Sequence, residues 1–281
     1  MSNSPIGVFG SGIGGLTLVS DLHRLLPAED VVYFGDTARM PYGVKSRRTV
    51  TQFALEDARF LLKYDPKLIV AACNTASAVA LDELEEHLPV PVVGVVKPGA
   101  WAAVQMADGA PIAVIGTEAT IASGAYTAAI RSLEARVEVI GQACPLFVPL
   151  LEEGRDADDP LVKQVVESYL TPLRASALRV VVLGCVHYPL LRDTITACLG
   201  PKVHVVDSGY ETAKAVRDAL QKSGGLSVEE QNGKLICYVS DSPTRFRRIG
   251  ERFLDEELEN VELVEPELYT TVATGDRKKK D

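Results

Sequence analysis

Residues 68–81 read LIVAACNTASAVAL and residues 180–191 read VVVLGCVHYPLL. Each begins with a run that is apolar at every position, meets a cysteine, then a polar residue within two positions, and continues into a helical pattern. A strand that is apolar on both faces belongs to a sheet covered on both sides, the habit of parallel sheets. Eight more short runs lie outward from these two: IGVF (6–9), VVYF (31–34), PVVGVV (91–96), PIAVIG (111–116), VEVIG (137–141), VHVVD (203–207), LICYVS (235–240) and VELVE (261–265). Between them apolar residues recur at helical spacing, as at Leu16, Val19, Leu22 and Leu26, or at Val50, Phe53, Phe60 and Leu61. Alternating strands and helices predict an α/β fold with right-handed crossovers. The repeated strand, cysteine and helix predict two similar halves, each a mainly parallel sheet flanked by helices. A second echo links FGSGIGGLTLV (9–19) to VDSGYETAKAV (206–216). Pro98-Gly99 and Asp207-Ser208-Gly209 mark the expected crossings between halves. The expected first domain is therefore 1–97 plus 208–270 and the second 98–207, with the charged stretch 271–281 as an aperiodic tail.

The 281 residues match about two domains at roughly 150 residues each. With 47% hydrophobic and 24% charged residues, the chain falls in the globular range, outside the disordered, collagenous and disulfide-scaffold classes. A net charge of -9 repels polyanions, so neither nucleic acid nor an anionic membrane is an expected partner, and an anionic substrate needs local donors. No apolar run approaches the ~20 residues of a membrane span, and the polar MSNSP start lacks a basic n-region. A cytoplasmic location is expected. Cys73, Cys144, Cys185, Cys198 and Cys237 are odd in number and scattered without CxxC spacing, which argues against a disulfide framework and against a zinc site.

Cys73 and Cys185 each follow a strand expected to end at the carboxyl edge of a sheet, where open α/β folds bind ligands. Each is expected to precede a helix N-terminus, which favours the thiolate. Asn74, Thr75 and helix-start amides suit a carboxylate, and His187 is placed to orient Cys185 or exchange protons with it. Cys144, Cys198 and Cys237 read as small buried hydrophobes, and His23, His87 and His204 as surface or core histidines. Gly10, Gly12 and Gly15 spell G-x-G-x-x-G between a strand and a helix, with Asp36 ending the next strand, as in a dinucleotide fingerprint. Such glycines equally permit a tight turn whose amides bind another anion, or nothing. The loop GDTARMPYGVKS (35–46) offers backbone amides and Tyr42 that could close over an anion. Glu152 and Glu153 read most simply as a solvated helix end.

Six blocks, GVFGSGIGGLT, GDTARMPYG-KS, ACNTASA, CPLFVPLLEEG, LGCVHYPLL and VVDSGYETA, resemble in order those of the bacterial glutamate racemases, from Ile6 to about Leu268. The resemblance implies two α/β domains with the site in the cleft between them. It implies an isomerase without cofactor that interconverts L- and D-glutamate, supplies D-glutamate for peptidoglycan and usually forms a homodimer. By the same resemblance Cys73 takes the α-proton from D-glutamate and Cys185 acts on L-glutamate from the opposite face, assisted by Glu152 and His187. Ser11, Pro41, Tyr42, Gly43, Asn74, Thr75 and Thr117 are implied as substrate-holding residues, Thr117 rather than Thr120. Two positions depart from the family: Gly10 stands where it has an aspartate, and Val186 where it has a threonine. The family aspartate assists the first cysteine and pairs with the substrate ammonium, and the threonine also lies at the amine. Both departures delete polar groups from one corner, and glycine is expected to enlarge the pocket at position 10. Gly10 also completes the G-x-G-x-x-G pattern, so the dinucleotide reading is set aside. Two alternatives follow: the same thiol chemistry on an amine-free carboxylate, as racemase or decarboxylase, or a variant that binds ligand without turning it over.

Overall fold

Each of the ten apolar runs overlaps a strand, and every strand pairing is parallel. The computed structural model describes residues 3–229 and 231–270, so the expected tail 271–281 lies outside the described residues. The strands are β1 (Ile6–Gly10), β2 (Val31–Gly35), β3 (Leu68–Ala71), β4 (Val92–Gly94), β5 (Ile112–Gly116), β6 (Val139–Ala143), β7 (Val180–Gly184), β8 (His204–Asp207), β9 (Leu235–Val239) and β10 (Val261–Leu263). They form a six-stranded sheet in the order β10-β9-β2-β1-β3-β4 and a four-stranded sheet in the order β6-β5-β7-β8. The first four strands and the next four therefore repeat one order, 2-1-3-4 and 6-5-7-8. Cys73 follows the third strand of one set and Cys185 the third of the other, which is the physical content of the first sequence echo. The second echo is no repeat, because it equates β1 with β8, whereas the counterpart of β8 is β4.

The helices are α1 (Leu16–Leu25), α2 (Arg47–Leu61), α3 (Asn74–His87), α4 (Val96–Ala107), α5 (Glu118–Ala122), α6 (Ala125–Leu133), α7 (Phe147–Glu152), α8 (Pro160–Leu170), α9 (Arg192–Leu199), α10 (Ser208–Ser223), α11 (Pro243–Leu254) and α12 (Pro266–Tyr269). The chain passes between sheets along α4 and returns along α10. Pro98-Gly99 is consequently not a turn. It lies in the first turn of α4, where proline's missing N–H belongs to a group that has no intrahelical partner anyway. Gly99 lets α4 and α10 approach closely, since a Cβ there would sit 3.0 Å from that of Ser208. Asp207 caps α10, its carboxylate accepting from the amides of Gly209 and Tyr210.

One core runs without a break from Val8 and Val70 of the first sheet to Ile115 and Val181 of the second. All four are 0% exposed, and burying each contributes about 1.5–3 kcal/mol. Two further clusters cover the outer faces, one around Phe9, Phe34 and Phe60, the other around Val114, Tyr126 and Val182.

Candidate active site

In parallel sheets every strand ends at the same edge, and here the carboxyl edges of both sheets open onto one cavity of about 310 Å³. Its lining includes Gly10, Ser11, Pro41, Tyr42, Gly43, Cys73, Asn74, Thr75, Thr117, Glu152, Cys185, Val186 and His187, every residue expected at the site from sequence. The first sheet brings Cys73 and Ser11 to it, and the second brings Cys185, His187 and Thr117.

Cys73 is the N-cap of α3, with its carbonyl accepting from the Ser77 amide at 2.8 Å. Burial pushes its thiol above the ordinary value, outweighing the opposite pull of the Ala76 and Thr75 amides and the Ser11 hydroxyl. The thiolate expected at this helix start is thus not the resting form, because desolvation of an anionic sulfur exceeds what three donors return. Asn74 donates from Nδ2 to Tyr126 Oη at 2.8 Å and to Ser208 Oγ at 3.0 Å. The Ser208 proton goes to the Leu183 carbonyl at 2.7 Å, so Ser208 can only accept from Asn74, which fixes the amide's orientation. Both amide protons are therefore committed to the fold, and Oδ1 is left buried without a partner. The carboxylate donors expected of Asn74 must instead come from the helix-start backbone. Thr75, Thr117 and Thr120 close a triangle of hydroxyls at 2.9–3.1 Å, with Thr117 at the cavity and Thr120 behind it.

On the other wall, Cys185 precedes a single 3-10 turn (Tyr188–Leu191) and not an α-helix; α9 starts only at Arg192. Its partner is a side chain: His187 Nδ1 lies 3.6 Å from the sulfur, and His187 Nε2 lies 3.0 Å from Glu152 Oε1. Glu152, at the end of α7, is only 8% exposed, so the solvated helix end applies to Glu153 alone. Burial pulls His187 toward neutrality, but its hydrogen bonds to Cys185 and Glu152 win and raise it to about 10. Held between the Glu152 carboxylate and the Cys185 sulfur, the ring is favoured in its protonated form, and a cationic neighbour at that distance favours a thiolate.

The glycine-rich turn accommodates a tyrosine. Tyr33 Oη donates to the Gly12 carbonyl at 2.6 Å, and an ideal Cβ on Gly10 or Gly15 would fall 2.6 or 2.5 Å from that oxygen. The pocket is therefore not enlarged at Gly10, because the hydroxyl takes the space an aspartate would enter. Asp36, the would-be ribose ligand of a dinucleotide, is 0% exposed and bonded to Arg39, Tyr42 and Ser240. Arg39 also bonds Glu56 and Asp57, and Tyr42 donates to Asp57 at 2.8 Å. This network anchors the 35–46 loop, whose Gly43 backs directly onto Thr117 across the cavity. Among the described residues no group of three or more His, Cys, Asp or Glu side chains is arranged to hold a metal ion.

A family model described as Asp/Glu/Hydantoin racemase matches residues 6–216. The chain belongs to the Asp/Glu/hydantoin racemase family. By family it is an isomerase of the amino-acid racemase type. It is 48% identical over 256 residues to the glutamate racemase of Geobacter metallireducens, covering 91% of this chain and 94% of that protein. It is 47% identical over 264 residues to that of Chlorobaculum tepidum, covering 94% and 97%. Among solved structures it is similar to the glutamate racemase of Bacillus anthracis (TM-score 0.91, 39% identity, 94% of this chain and 98% of that one). It is similar too to that of Francisella tularensis in complex with D-glutamate (TM-score 0.88, 38% identity, 94% and 98%).

Several residues of this family member's site went unremarked in the sequence. Met40, Glu118, Val148 and Arg245 also line the cavity, and Tyr33, Tyr126 and Ser208 orient what does. Arg245 sits in RFRRIGERF, a stretch that reads only as an amphipathic helix, and Ser208 reads only as part of a turn.

Proposed function

We propose that the protein interconverts L- and D-glutamate by two-thiol proton transfer without a cofactor, supplying D-glutamate for peptidoglycan in the cytoplasm as a homodimer. The observation that carries this reading is the convergence of Cys73 and Cys185 on one cavity from equivalent positions of two sheets. Each thiol then faces one side of a substrate Cα. In one direction a Cys185 thiolate, paired with the His187 imidazolium, takes the α-proton of L-glutamate, and the Cys73 thiol returns a proton to the opposite face. Cys73, kept protonated by burial, starts in the state this requires. In the reverse direction Cys73 takes the proton of D-glutamate and Cys185 returns one, with His187 and Glu152 restoring the charge balance. Backbone amides at the starts of α3 and α5, with Thr75 and Thr117, hold the carboxylate whose charge grows in the planar intermediate. Ser11 and the 41–43 turn hold the remainder of the substrate. The domain division that accompanies this reading is 1–97 plus 208–270 against 98–207.

The test is α-proton exchange in deuterated buffer, followed by proton NMR together with a D-glutamate-specific assay. Exchange and racemisation of glutamate are expected. Exchange confined to carboxylates that carry a methyl or aryl group in place of the amine would transfer the assignment to amine-free acids. Binding without exchange of either class would reduce the protein to a ligand-binding variant.

A further inference from the structure

His187 is bonded through its nitrogens to one half of the fold and packed by its ring against the other. Cys185 and Glu152, its hydrogen-bond partners, follow β7 and end α7 beside the four-stranded sheet. The ring meets Phe253 of α11 edge to face, with centroids 5.4 Å apart and planes at 85°. It also lies against Gly14 of the β1–α1 turn, where an ideal Cβ would come within 2.9 Å of His187 Cγ and closer still to Nδ1 and Cε1. Gly14 has no positive φ, so the backbone does not demand glycine there; the ring does. Glu152 is held from the same side. Arg245, two helical turns before Phe253 on α11, donates to the Glu152 carbonyl at 3.2 Å and pairs with Glu153 at 3.4 Å. The Thr17 hydroxyl adds a fourth tie, with the carbonyls of Gly14 and Val186 at 3.0 and 2.8 Å. The β1–α1 turn and α11 both belong to the half that carries Cys73, since α11 joins β9 to β10 of the six-stranded sheet.

We propose that Gly14, Phe253 and Arg245 are positioning residues for the His187–Glu152 pair, so that the half carrying Cys73 holds in register the proton relay serving Cys185. A catalytic constellation must be held to about 0.5 Å, and a rotation of the imidazole breaks both of its hydrogen bonds at once. Closure of the two halves and arming of Cys185 are then one event. A cleft that opens to release product disarms one base and leaves the other, Cys73, with its own helix-start donors.

The proposal rests on the racemase reading for its kinetic test and stands apart from it in a chemical one. In Gly14→Ala the methyl group displaces the ring; Phe253→Leu keeps the core filled and serves if the alanine variant does not fold. Both should slow glutamate racemisation by about 10²-fold, the order of one general acid–base contribution. The losses should be asymmetric. The primary isotope effect with α-deuterated L-glutamate rises, because removal by Cys185 becomes the slow step. With α-deuterated D-glutamate it falls, because Cys73 returns the proton faster than Cys185 completes the turnover. Alkylation by chloroacetamide, mapped by mass spectrometry, should slow at Cys185 relative to Cys73 by about fivefold or more, as loss of a cationic neighbour lowers thiol reactivity. Isotope effects that move together for the two enantiomers, or an unchanged alkylation ratio in both variants, would overturn the proposal. A wild-type protein that fails to racemise glutamate while both variants lose Cys185 alkylation would instead sink the substrate assignment and leave the positioning role supported.

Discussion

Restoring the aspartate that Gly10 replaces should fail unless Tyr33 changes with it. The Cβ of Gly10→Asp falls 2.6 Å from Tyr33 Oη, whereas the next nearest side-chain atom, Tyr33 Cζ, lies 3.6 Å away at ordinary contact distance. Forcing the two together costs about 1–3 kcal/mol as overpacking. Expelling the hydroxyl strands the buried Gly12 carbonyl, for about 1–3 kcal/mol more. The single variant should therefore lose roughly 2–6 kcal/mol, and at about 2–4 °C per kcal/mol its Tm should fall by at least roughly 4 °C. Tyr33→Phe alone should lose about 1–3 kcal/mol, the stranded carbonyl. In the double variant the collision disappears and the carbonyl is stranded once rather than counted in both singles, so its loss should be smaller than the sum of the singles by about 2–6 kcal/mol. Thermal unfolding of the four proteins measures that coupling directly. Adding Val186→Thr to the double variant restores both polar groups of the ammonium corner and should raise glutamate turnover about a hundredfold, since ~1.4 kcal/mol corresponds to each factor of ten. Additive Tm losses would show that Tyr33 does not occupy the aspartate's place. Coupling without a turnover gain of at least about threefold, far below what one buried ion pair is worth, would show that the ammonium is held elsewhere, with Ser11 the first candidate.

Three further outcomes follow from the buried polar groups. Arg39→Met leaves three carboxylates around an apolar chain, and breaking such a buried cluster costs about 3–5 kcal/mol; the Tm should fall by roughly 6 °C or more and KM for glutamate should rise more than kcat falls, because the 35–46 loop loses its anchor. The folded His187 value of about 10 lies above the ordinary 6.5, so the stabilisation from its pairing is complete below pH 6.5 and is lost as pH climbs through 10. The Tm gap between wild type and Glu152→Gln should therefore be largest near pH 6 and close between pH 6.5 and about 10; a gap that widens in alkali would refute the ion pair. Ser208→Ala frees one amide proton of Asn74 and removes a donor to the Leu183 carbonyl, with an expected loss of about 1–2 kcal/mol in urea unfolding.

The ten strands among the described residues were legible as short β-branched runs, most plainly β1, β2, β3, β5 and β7, which are buried and apolar at every position and need no partner to be recognised. The two cysteines were legible because the fold repeats one strand order, so equal chemistry recurs at equal places. Tyr33 was not: nothing in VVYF distinguishes a core tyrosine from one whose hydroxyl fills a turn 21 residues earlier. Glu152 read as solvent-facing because what buries it, His187 and the α11 arginine, arrives from far along the chain. Pro98-Gly99 marked where the chain crosses between sheets, but not that it crosses as a helix, because a helix start and a turn use the same two residues and only the packing of Gly99 on Ser208 separates them. The resting state of Cys73 was misjudged because helix-start amides are visible in sequence while the depth of burial opposing them is not.

The most direct measurement compares α-proton exchange and racemisation in Cys73→Ser and Cys185→Ser, each given L- and D-glutamate separately in deuterated buffer. Two-thiol transfer predicts that neither variant racemises glutamate, that Cys185→Ser still exchanges the α-proton of D-glutamate alone, and that Cys73→Ser still exchanges that of L-glutamate alone. Racemisation within about tenfold of wild type in either variant, less than one general base is worth, or exchange of the same enantiomer by both, would contradict a cleft in which each sulfur serves one face of the substrate.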